Sequence, residues 1–325
     1  MKTRNLISRA ALKVGLSNDP ISKKSKDYLR SFNKWSFKGN KCIDEKQYEA
    51  VITRWYHTIE KGLAYINYRA GFGKKNIAAL LESMENYLAD GYSDDAFFYK
   101  TALSVLRSYV EKNKQYGVED EELEARISKL SGSPNDFGGI ISFTPKSDEE
   151  LGNMNYEELV LTRHSIRHFS DEPVDADRIC KAVKLAQYTP SACNRQGWRT
   201  IVVEDKNKIE QLLKNQNGNE GFGQEFDKLI LVTADLRCFN NGRELHQAFI
   251  DGGMYAQSLL NALYYEHIAT VPLSASLRED QEKNVRNILH LHDAEVLIMF
   301  IGIGNYPDEC RTTRSERKPV ELTMI

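Results

Sequence analysis

The spacing of apolar residues gives the N-terminal part of the chain a helical character. Apolar positions recur every three or four residues, and no strand-like alternation stands out before residue 130. The pattern predicts helices over residues 47–64, 77–88, 97–110 and 123–130. We therefore expect this part to be mainly α-helical.

A change of pattern follows a cluster of turn-forming residues. Residues 131–145 concentrate glycine, proline, serine and asparagine, which marks a break between structured regions. We therefore predict a boundary near residue 150. A helical N-terminal domain or extension would cover 1–150, and a second domain would cover 151–325.

Beyond the break, helical and strand-like segments alternate. Asn155 and Asp175 are each suited to cap a helix, and runs rich in β-branched residues predict strands. The predicted strands cover 199–203, 229–233 and 296–303, and the longest predicted helix covers 244–267. This alternation indicates an α+β fold in which helices flank a mixed sheet.

Composition excludes several classes of function. The 325-residue chain is 41% hydrophobic and 28% charged with a net charge of −2, which fits a globular protein and predicts no nucleic-acid partner. Its longest apolar run, 296–304, is too short to span a bilayer, and no secretory signal is apparent, so we expect a cytoplasmic protein. Five scattered cysteines without a CxxC pair indicate reduced thiols and predict no metal site.

Charge is uneven at the N-terminus. Residues 1–50 carry twelve lysines and arginines against five acidic residues, and apolar residues at helical spacing lie between Ile7 and Val14. Such a basic amphipathic helix can make weak contact with an anionic membrane surface. The more common alternative, which we favour, is a first helix whose apolar stripe packs on its own domain.

The first candidate for chemistry is the segment Arg163-His164-Ser165-Ile166-Arg167. In an extended chain its first, third and fifth side chains share one side. Two guanidiniums and a hydroxyl would then converge, and the forked donors of arginine suit a phosphate. The segment fits a basic surface turn equally well, and its pattern alone does not decide between the two.

A second candidate segment covers residues 188–198, after the next predicted helix. It carries Ser191, Asn194 and Gln196 ahead of Trp198. Hydroxyl and amide side chains at this spacing can hydrogen-bond the polar edge of a planar heterocycle. Such residues are also common in loops that join a helix to a strand.

Together the two segments resemble the FMN-dependent nitroreductase superfamily, whose members carry an RxSxR-like phosphate motif and then a PSxxNxQPW-like loop. The resemblance covers roughly residues 155–325 and leaves an uncharacterised helical extension before it. It implies a nitroreductase-like fold, FMN as cofactor and NADH or NADPH as electron donor. It also implies a homodimer, in which the loop over 190–196 often reaches the flavin of the other subunit.

The resemblance assigns cofactor contacts by position. The RxSxR-like motif would hold the FMN phosphate and ribityl chain, the loop would reach the flavin, and a C-terminal arginine would return to the phosphate. We favour Arg317 over Arg314 for that arginine, and Asn219 over Asn217 for a contact to the isoalloxazine edge. The matching positions are Arg163, His164, Ser165, Arg167, Pro190, Ser191, Ala192, Asn194, Gln196, Asn219, Ser274, Ala275, Arg314 and Arg317.

The implied activity is hydride transfer from NAD(P)H through flavin N5 to a small organic acceptor, with no dedicated protein nucleophile. Two departures predict a different substrate pocket. Gly197 stands where the family has proline, and the loop expected beside N5 reads Pro272-Leu273-Ser274-Ala275, without an acidic residue followed by glycine.

Two other functions stay open. One is a non-catalytic flavin- or partner-binding module whose working surface is residues 1–150. The other is a different FMN reaction, such as dehydrogenation of a small heterocycle or reductive removal of a substituent.

Two further features have no assigned role. His57 and Glu60 share a helix face, which fits either a polar lid contact over the flavin or a partly buried histidine on a packing helix. A metal site would need more ligands than this one pair, so we do not favour it. Gly252 and Gly253, inside the longest helix, indicate a close approach. We expect a neighbouring helix at a dimer interface there, with the cofactor as the alternative.

Overall fold

The computed structural model describes residues 20–35, 37, 40–239 and 244–325. Its contacts divide the chain into two compact units, each built from several chain segments. Of the described residues, the helical unit comprises those within Phe37–Lys146, His164–Ser170 and Tyr306–Ile325, and the sheet unit comprises those within Met1–Ser36, Ser147–Arg163 and Asp171–Asn305. One crossing, at Ser147, lies close to the predicted boundary near residue 150, but the chain crosses between the units at other points as well.

The elements are numbered in chain order through both units. They are α1 (Pro20–Trp35), α2 (Glu45–Ala64), α3 (Lys74–Ala89), α4 (Phe97–Gln115), α5 (Glu121–Ile127), β1 (Ile140–Phe143), α6 (Asp148–Gly152), α7 (Tyr156–Thr162), α8 (Ala176–Ala186), β2 (Trp198–Val203), α9 (Lys206–Leu213), β3 (Lys228–Asp235), α10 (Gln247–Tyr265), β4 (Ala269–Ser274), α11 (Glu279–Leu289), β5 (Glu295–Gly304) and β6 (Cys310–Thr313).

Aromatic side chains form the core of the helical unit. Tyr87 on α3 and Tyr99 on α4 are fully buried and stack with their ring centroids 5.6 Å apart. The Tyr87 hydroxyl lies 2.9 Å from both Glu45 Oε1 and Ser93 O, so its polar end is hydrogen-bonded inside the core. The predicted helical character of this region is therefore confirmed.

A short antiparallel pair, β1 with β6, completes the helical unit. Ile140 pairs with Thr313 and Phe143 pairs with Cys310, and α2 packs against β6. Each strand has only four residues, and the sequence pattern predicted neither. The pairing joins the end of the helical region to a segment near the C-terminus.

The sheet unit is built on a four-stranded sheet in the order β2-β3-β5-β4. Its three pairings are all antiparallel within the described part of the chain, so the predicted α+β class is confirmed but the sheet is not mixed. Periodicity identifies a strand without giving its direction, which explains the difference. The long helix α10 packs across the strands and against α8.

Local signals placed most helices of the sheet unit correctly. Asn155 and Glu158 form the predicted capping box, with Glu158 N donating to Asn155 Oδ1 at 3.0 Å and Asn155 N donating to Glu158 Oε2 at 3.3 Å. Asp175 caps α8 as predicted. Helices α1, α6 and α11 and strand β4 were not predicted. The basic helix predicted near Ile7 lies outside the described residues.

Gly252 approaches the sheet rather than a helix. A Cβ at this position would lie 2.7 Å from Ile298 Cδ1 on β5, whereas a Cβ at Gly253 would meet nothing within 4 Å. The close approach expected at a dimer interface is therefore, for Gly252, a contact inside the sheet unit. None of the described helices is both long and apolar enough to cross a bilayer.

Candidate functional site

The RxSxR-like segment is divided between the two units. Arg163 follows α7 with an extended backbone (φ −69°, ψ 119°) and belongs to the sheet unit, whereas residues 164–170 belong to the helical unit. The five residues form no strand, but Ile166 is buried with only 2% exposure. Arg163, His164, Ser165 and Arg167 are all half-buried, so burial does not separate the two sides of the segment.

Arg167 contributes a fixed positive charge to the helical unit. Burial lowers its pKa to about 10, while the charges of Tyr65 and Glu60 act in the opposite direction. A pKa near 10 leaves the guanidinium charged at neutral pH. Its Nη1 donates to Ser165 O at 3.4 Å.

Strand β6 brings the C-terminal basic motif to the same segment. Thr312 Oγ1 donates to Ser165 O at 2.6 Å, and Arg314 N donates to Gly139 O at 3.1 Å. The Arg314 guanidinium lies 5.9 Å from the centre of a phenylalanine ring, that of Phe137. The helical unit thus assembles Ser165 and residues 312–314, which are distant in sequence.

Arg317, the arginine that we favoured, is exposed and donates from Nη1 to Ser315 O. Arg314 is half-buried beside Phe137, so both candidates flank Ser315. Ser315 itself has a φ of 48°, in the left-handed region that serine rarely adopts.

The predicted flavin loop, residues 190–196, belongs to the sheet unit and has a strained backbone. Cys193, Asn194 and Gln196 all have positive φ values, of 53°, 54° and 48°. Such conformations cost free energy for residues other than glycine and persist where surrounding contacts enforce them. The loop is therefore held in one shape by its neighbours.

Two sets of contacts enforce that shape. Asp251 on α10 is buried, and its carboxylate accepts from Ala192 N at 3.1 Å and from Gln247 Nε2 at 2.7 Å. Within the loop, Gln196 N donates to Ser191 Oγ at 3.0 Å. Sequence reasoning missed Asp251, which the structure places among the buried residues of α10.

The tryptophan after the loop ties it to the core. Trp198 Nε1 donates to Gln187 Oε1 at 3.0 Å, and Gln187 Nε2 donates to Gln196 Oε1 at 3.0 Å. The indole stacks on Tyr255 of α10, with ring centroids 4.8 Å apart and an 11° interplanar angle. The indole predicted to end the motif thus anchors the loop.

A groove of about 470 Å³ in the sheet unit includes the predicted N5 loop. It is lined by residues 272–276 at the end of β4, residues 297–299 of β5 and Phe249 of α10, so Ser274 and Ala275 form part of its wall. The lining is mostly apolar, which suits a flat ring system held by a few polar contacts.

Asn219 is engaged within its own loop. Its Nδ2 donates to Leu213 O at 2.9 Å and to Gln216 O at 2.7 Å, and so satisfies carbonyls at the end of α9. Gln216 was missed from the sequence, yet its Nε2 donates to Ser274 O at 3.0 Å in the groove wall. The flavin contact expected of Asn219 stays a prediction, as do the other assigned contacts.

Comparisons with known proteins identify a family that this chain resembles. Residues 160–219 match the model of the nitroreductase family. Iodotyrosine deiodinase 1 of Rattus norvegicus is 31% identical over 214 residues, covering 56% of this chain and 72% of that protein. FMN reductase [NAD(P)H] of Bacillus subtilis is 26% identical over 176 residues, covering 50% of this chain and 69% of that protein.

Among solved structures, an FMN-dependent nitroreductase from Clostridium difficile R20291 is 21% identical, with a TM-score of 0.41. That similarity covers 46% of this chain and 87% of the other chain. The family match contains the RxSxR-like segment and the loop, and the rat relative is similar over most of its own length. The chain belongs to the nitroreductase family.

Proposed function

We propose that the chain is an FMN-dependent oxidoreductase that takes electrons from NADH or NADPH and reduces a small organic acceptor. The observation that carries the proposal lies in the helical unit, where Arg167 and Thr312, two residues before Arg314, both donate to the backbone carbonyl of Ser165. The Bacillus subtilis relative is named an FMN reductase that uses NAD(P)H, which supports the same cofactor and donor.

The donor set fits a phosphate on its own chemistry. The guanidinium of Arg167 stays charged because its pKa is about 10, and the hydroxyls of Ser165 and Ser315 supply neutral donors. Arginine holds phosphate oxygens with forked, charge-assisted hydrogen bonds. We propose Arg163 and His164, with Arg317 or Arg314, as the remaining contacts to the phosphate and ribityl chain.

The sheet unit, considered by itself, has a surface that suits a flat ring. The groove beside Ser274 and Ala275 is apolar and of suitable size, and the rigid loop over 190–196 presents amide and hydroxyl groups. When bound, FMN supplies hydride transfer at its N5 atom between a nicotinamide and an acceptor. The protein then binds and orients the ring and excludes water, and needs no nucleophile of its own.

We also propose that the active form is a homodimer. Phe249, Ile250 and Met254 of α10 are between 42% and 51% exposed, although large apolar side chains are usually buried. Their side chains form an apolar surface on the helix that also holds the flavin loop through Asp251. A second copy of the chain would cover this surface and steady the loop.

Flavin titration tests the function. Purified protein stripped of cofactor should bind FMN, turn yellow, and be bleached by NADH or NADPH. Arg167→Ala should lose FMN affinity, whereas Arg107→Ala, which breaks an exposed pair with Glu111, should not. Protein that cannot be loaded with FMN would overturn the proposal. Bound flavin that nicotinamides fail to reduce would favour the non-catalytic module.

Gel filtration tests the dimer, with flavin occupancy measured in each peak. Flavin should elute with a dimer, and Ile250→Lys, on the exposed surface of α10 and outside the groove, should shift the protein towards monomer with lower flavin occupancy. A fully loaded monomer would contradict both the dimer and the loop crossing between subunits.

Reductive removal of a substituent is the second candidate reaction. It is favoured by the similarity to the rat protein named iodotyrosine deiodinase 1, of which this chain covers 72%. In such a reaction an aryl iodide takes two electrons and a proton, and yields the arene and iodide. Loaded enzyme should be given nitroaromatic and iodophenol acceptors in parallel. Iodide release faster than nitro reduction would select this candidate.

A further inference from the structure

His57 and Glu60, one turn apart on α2, are in hydrogen-bond contact inside the helical unit. His57 Nδ1 lies 3.3 Å from Glu60 Oε2. The Glu60 carboxylate is fully buried, whereas the imidazole is 38% exposed. A carboxylate is stable at such a site only where hydrogen bonds and positive charge compensate its desolvation. The groups that compensate the desolvation of the Glu60 carboxylate therefore indicate the role of the His57–Glu60 pair.

The second oxygen of Glu60 connects to the C-terminal basic motif through the backbone. Gly139 N donates to Glu60 Oε1 at 3.0 Å, and Gly139 O accepts from Arg314 N at 3.1 Å. Gly139 has a φ of 108°, which favours glycine, and β1 begins at the next residue. Glu60 therefore fixes the backbone from which the Arg314 amide is held.

The imidazole connects to the same motif through a side chain. His57 Nδ1 lies 3.4 Å from Ser315 Oγ, which is itself 2.7 Å from Thr313 Oγ1. Ser315 adopts its unusual φ of 48° at this contact. Strained residues of this kind persist where their surroundings over-determine them, and they cluster at ligand clamps.

The charge of Glu60 also reaches the other half of the proposed phosphate site. It acts on Arg167 in the direction that favours the charged guanidinium, against the effect of burial. One buried carboxylate thus serves both Arg167 and the segment that carries Arg314 and Ser315.

We propose that His57 and Glu60 are positioning residues for the phosphate of the flavin: they hold Ser315 and its neighbouring arginines, with Arg167, in the geometry that receives it. This inference rests on the proposed function. It makes the helical extension a working part of the cofactor site. The pair touches no reacting atom, so its effect falls on binding rather than on the chemical step.

A comparison of two flavins separates this role from ordinary structural support. Riboflavin has the same ring and ribityl chain as FMN but lacks the phosphate. A variant that merely loosens the fold weakens both ligands. A variant that misplaces the phosphate donors weakens FMN alone, so the ratio of the two dissociation constants is the informative quantity.

Three substitutions probe the pair in the full-length protein. Glu60→Gln keeps the shape of the side chain and an acceptor for Gly139 N but removes the charge. His57→Phe keeps a planar ring without a polar atom, and His57→Asn restores a polar atom near the place of Nδ1. Glu85→Gln is the matched control, because it breaks another carboxylate pair of this unit, with Arg126 at 2.6 Å.

Glu60→Gln and His57→Phe should each weaken FMN binding about ten- to a hundredfold, the effect of one lost charge-assisted contact. Riboflavin binding should not change, and His57→Asn should recover most of the FMN affinity. Glu85→Gln should leave the ratio at its wild-type value. Flavin fluorescence quenching gives each dissociation constant, and circular dichroism checks folding.

The outcomes separate the inference from the proposed function. Equal losses for FMN and riboflavin, no loss, or tighter FMN binding by Glu60→Gln would each overturn the positioning role while the function stands. Wild-type protein that binds neither flavin would overturn both. If Glu60→Gln fails to fold, the comparison of His57→Phe with His57→Asn decides alone, because His57 is partly exposed and its replacement buries no new charge.

Discussion

Replacing Gly62 by alanine sets two effects of opposite sign against each other. Gly62 lies in α2, two residues after Glu60, where alanine would improve the helix by about 1 kcal/mol. A Cβ at this position, however, would lie 2.0, 2.4 and 2.7 Å from the Cε2, Cζ and Cδ2 atoms of Phe72. The sign of the net change depends on whether this ring can move.

The surroundings of Phe72 oppose such a movement. Its ring packs edge-on against Tyr109, with centroids 5.2 Å apart, and its carbonyl accepts from the Tyr109 hydroxyl at 2.7 Å. The ring would have to shift by roughly 1.5 Å to reach ordinary contact distance. Overpacking of this kind costs about 1–3 kcal/mol. A clash with three ring atoms belongs near the upper end, so we expect Gly62→Ala to lower the free energy of unfolding by about 2 kcal/mol after the helix gain.

Urea unfolding followed by circular dichroism measures the change. Gly253→Ala is the matched control, because this glycine also lies inside a helix but its Cβ would meet nothing within 4 Å. The control should be stabilised by up to about 1 kcal/mol. In the background of Phe72→Leu, Gly62→Ala should cost less, since a smaller side chain can yield. A Gly62→Ala protein at least as stable as wild type would refute the reasoning.

Three further predictions follow from single contacts and shifted pKa values. Asp251→Ala should weaken FMN binding and lower the free energy of unfolding by about 1–3 kcal/mol, because Ala192 N loses its acceptor. Flavin and urea titrations measure the two effects. Unchanged FMN affinity would contradict the role of this contact in the loop. Burial lowers the pKa of Lys112 from 10.5 to about 8, so the unfolded chain binds more protons than the folded protein between these pH values. The free energy of unfolding should therefore rise with pH across this window, and Lys112→Met should reduce that rise. Urea midpoints that have the same pH slope in both proteins would exclude this contribution of Lys112. Burial raises the pKa of the Cys310 thiol to about 12, so at pH 8 iodoacetamide should label the exposed Cys180 faster than Cys310. Mass spectrometry follows both labelling rates, and equal rates would contradict the burial of Cys310.

The parts of the fold that could be predicted are those with strong local signals. The capping box at Asn155 and the buried run of β3 are recorded in neighbouring residues, and both were placed correctly. Strands β1 and β6 have four residues each and are stabilised by pairing across most of the chain, as in the register of Ile140 with Thr313. A local stretch of sequence does not contain both partners of that pairing, so neither strand could be predicted.

The same distinction applies to the candidate site. The residues of the RxSxR-like segment and the loop could be chosen from motif and order, because the family match over 160–219 contains both. The supports of these residues could not, since Asp251 acts on the loop from α10 and Glu60 acts on Arg167 from α2. Each support is an acidic residue whose partner is distant in sequence. The roles of Asp251 and Glu60 can therefore be recognised only when the fold is known.

The proposed site extends beyond the part of the chain that the family resemblance covers. The resemblance begins near residue 155, yet residues 164–170 and the C-terminal basic motif belong to the same compact unit as α2 to α5. Within that unit, Ser165 is bonded to β6, β6 is paired with β1, and the backbone before β1 is held by Glu60. Each link joins segments that are remote in sequence. A phosphate held by these residues would be held by the helical extension as much as by the family motif.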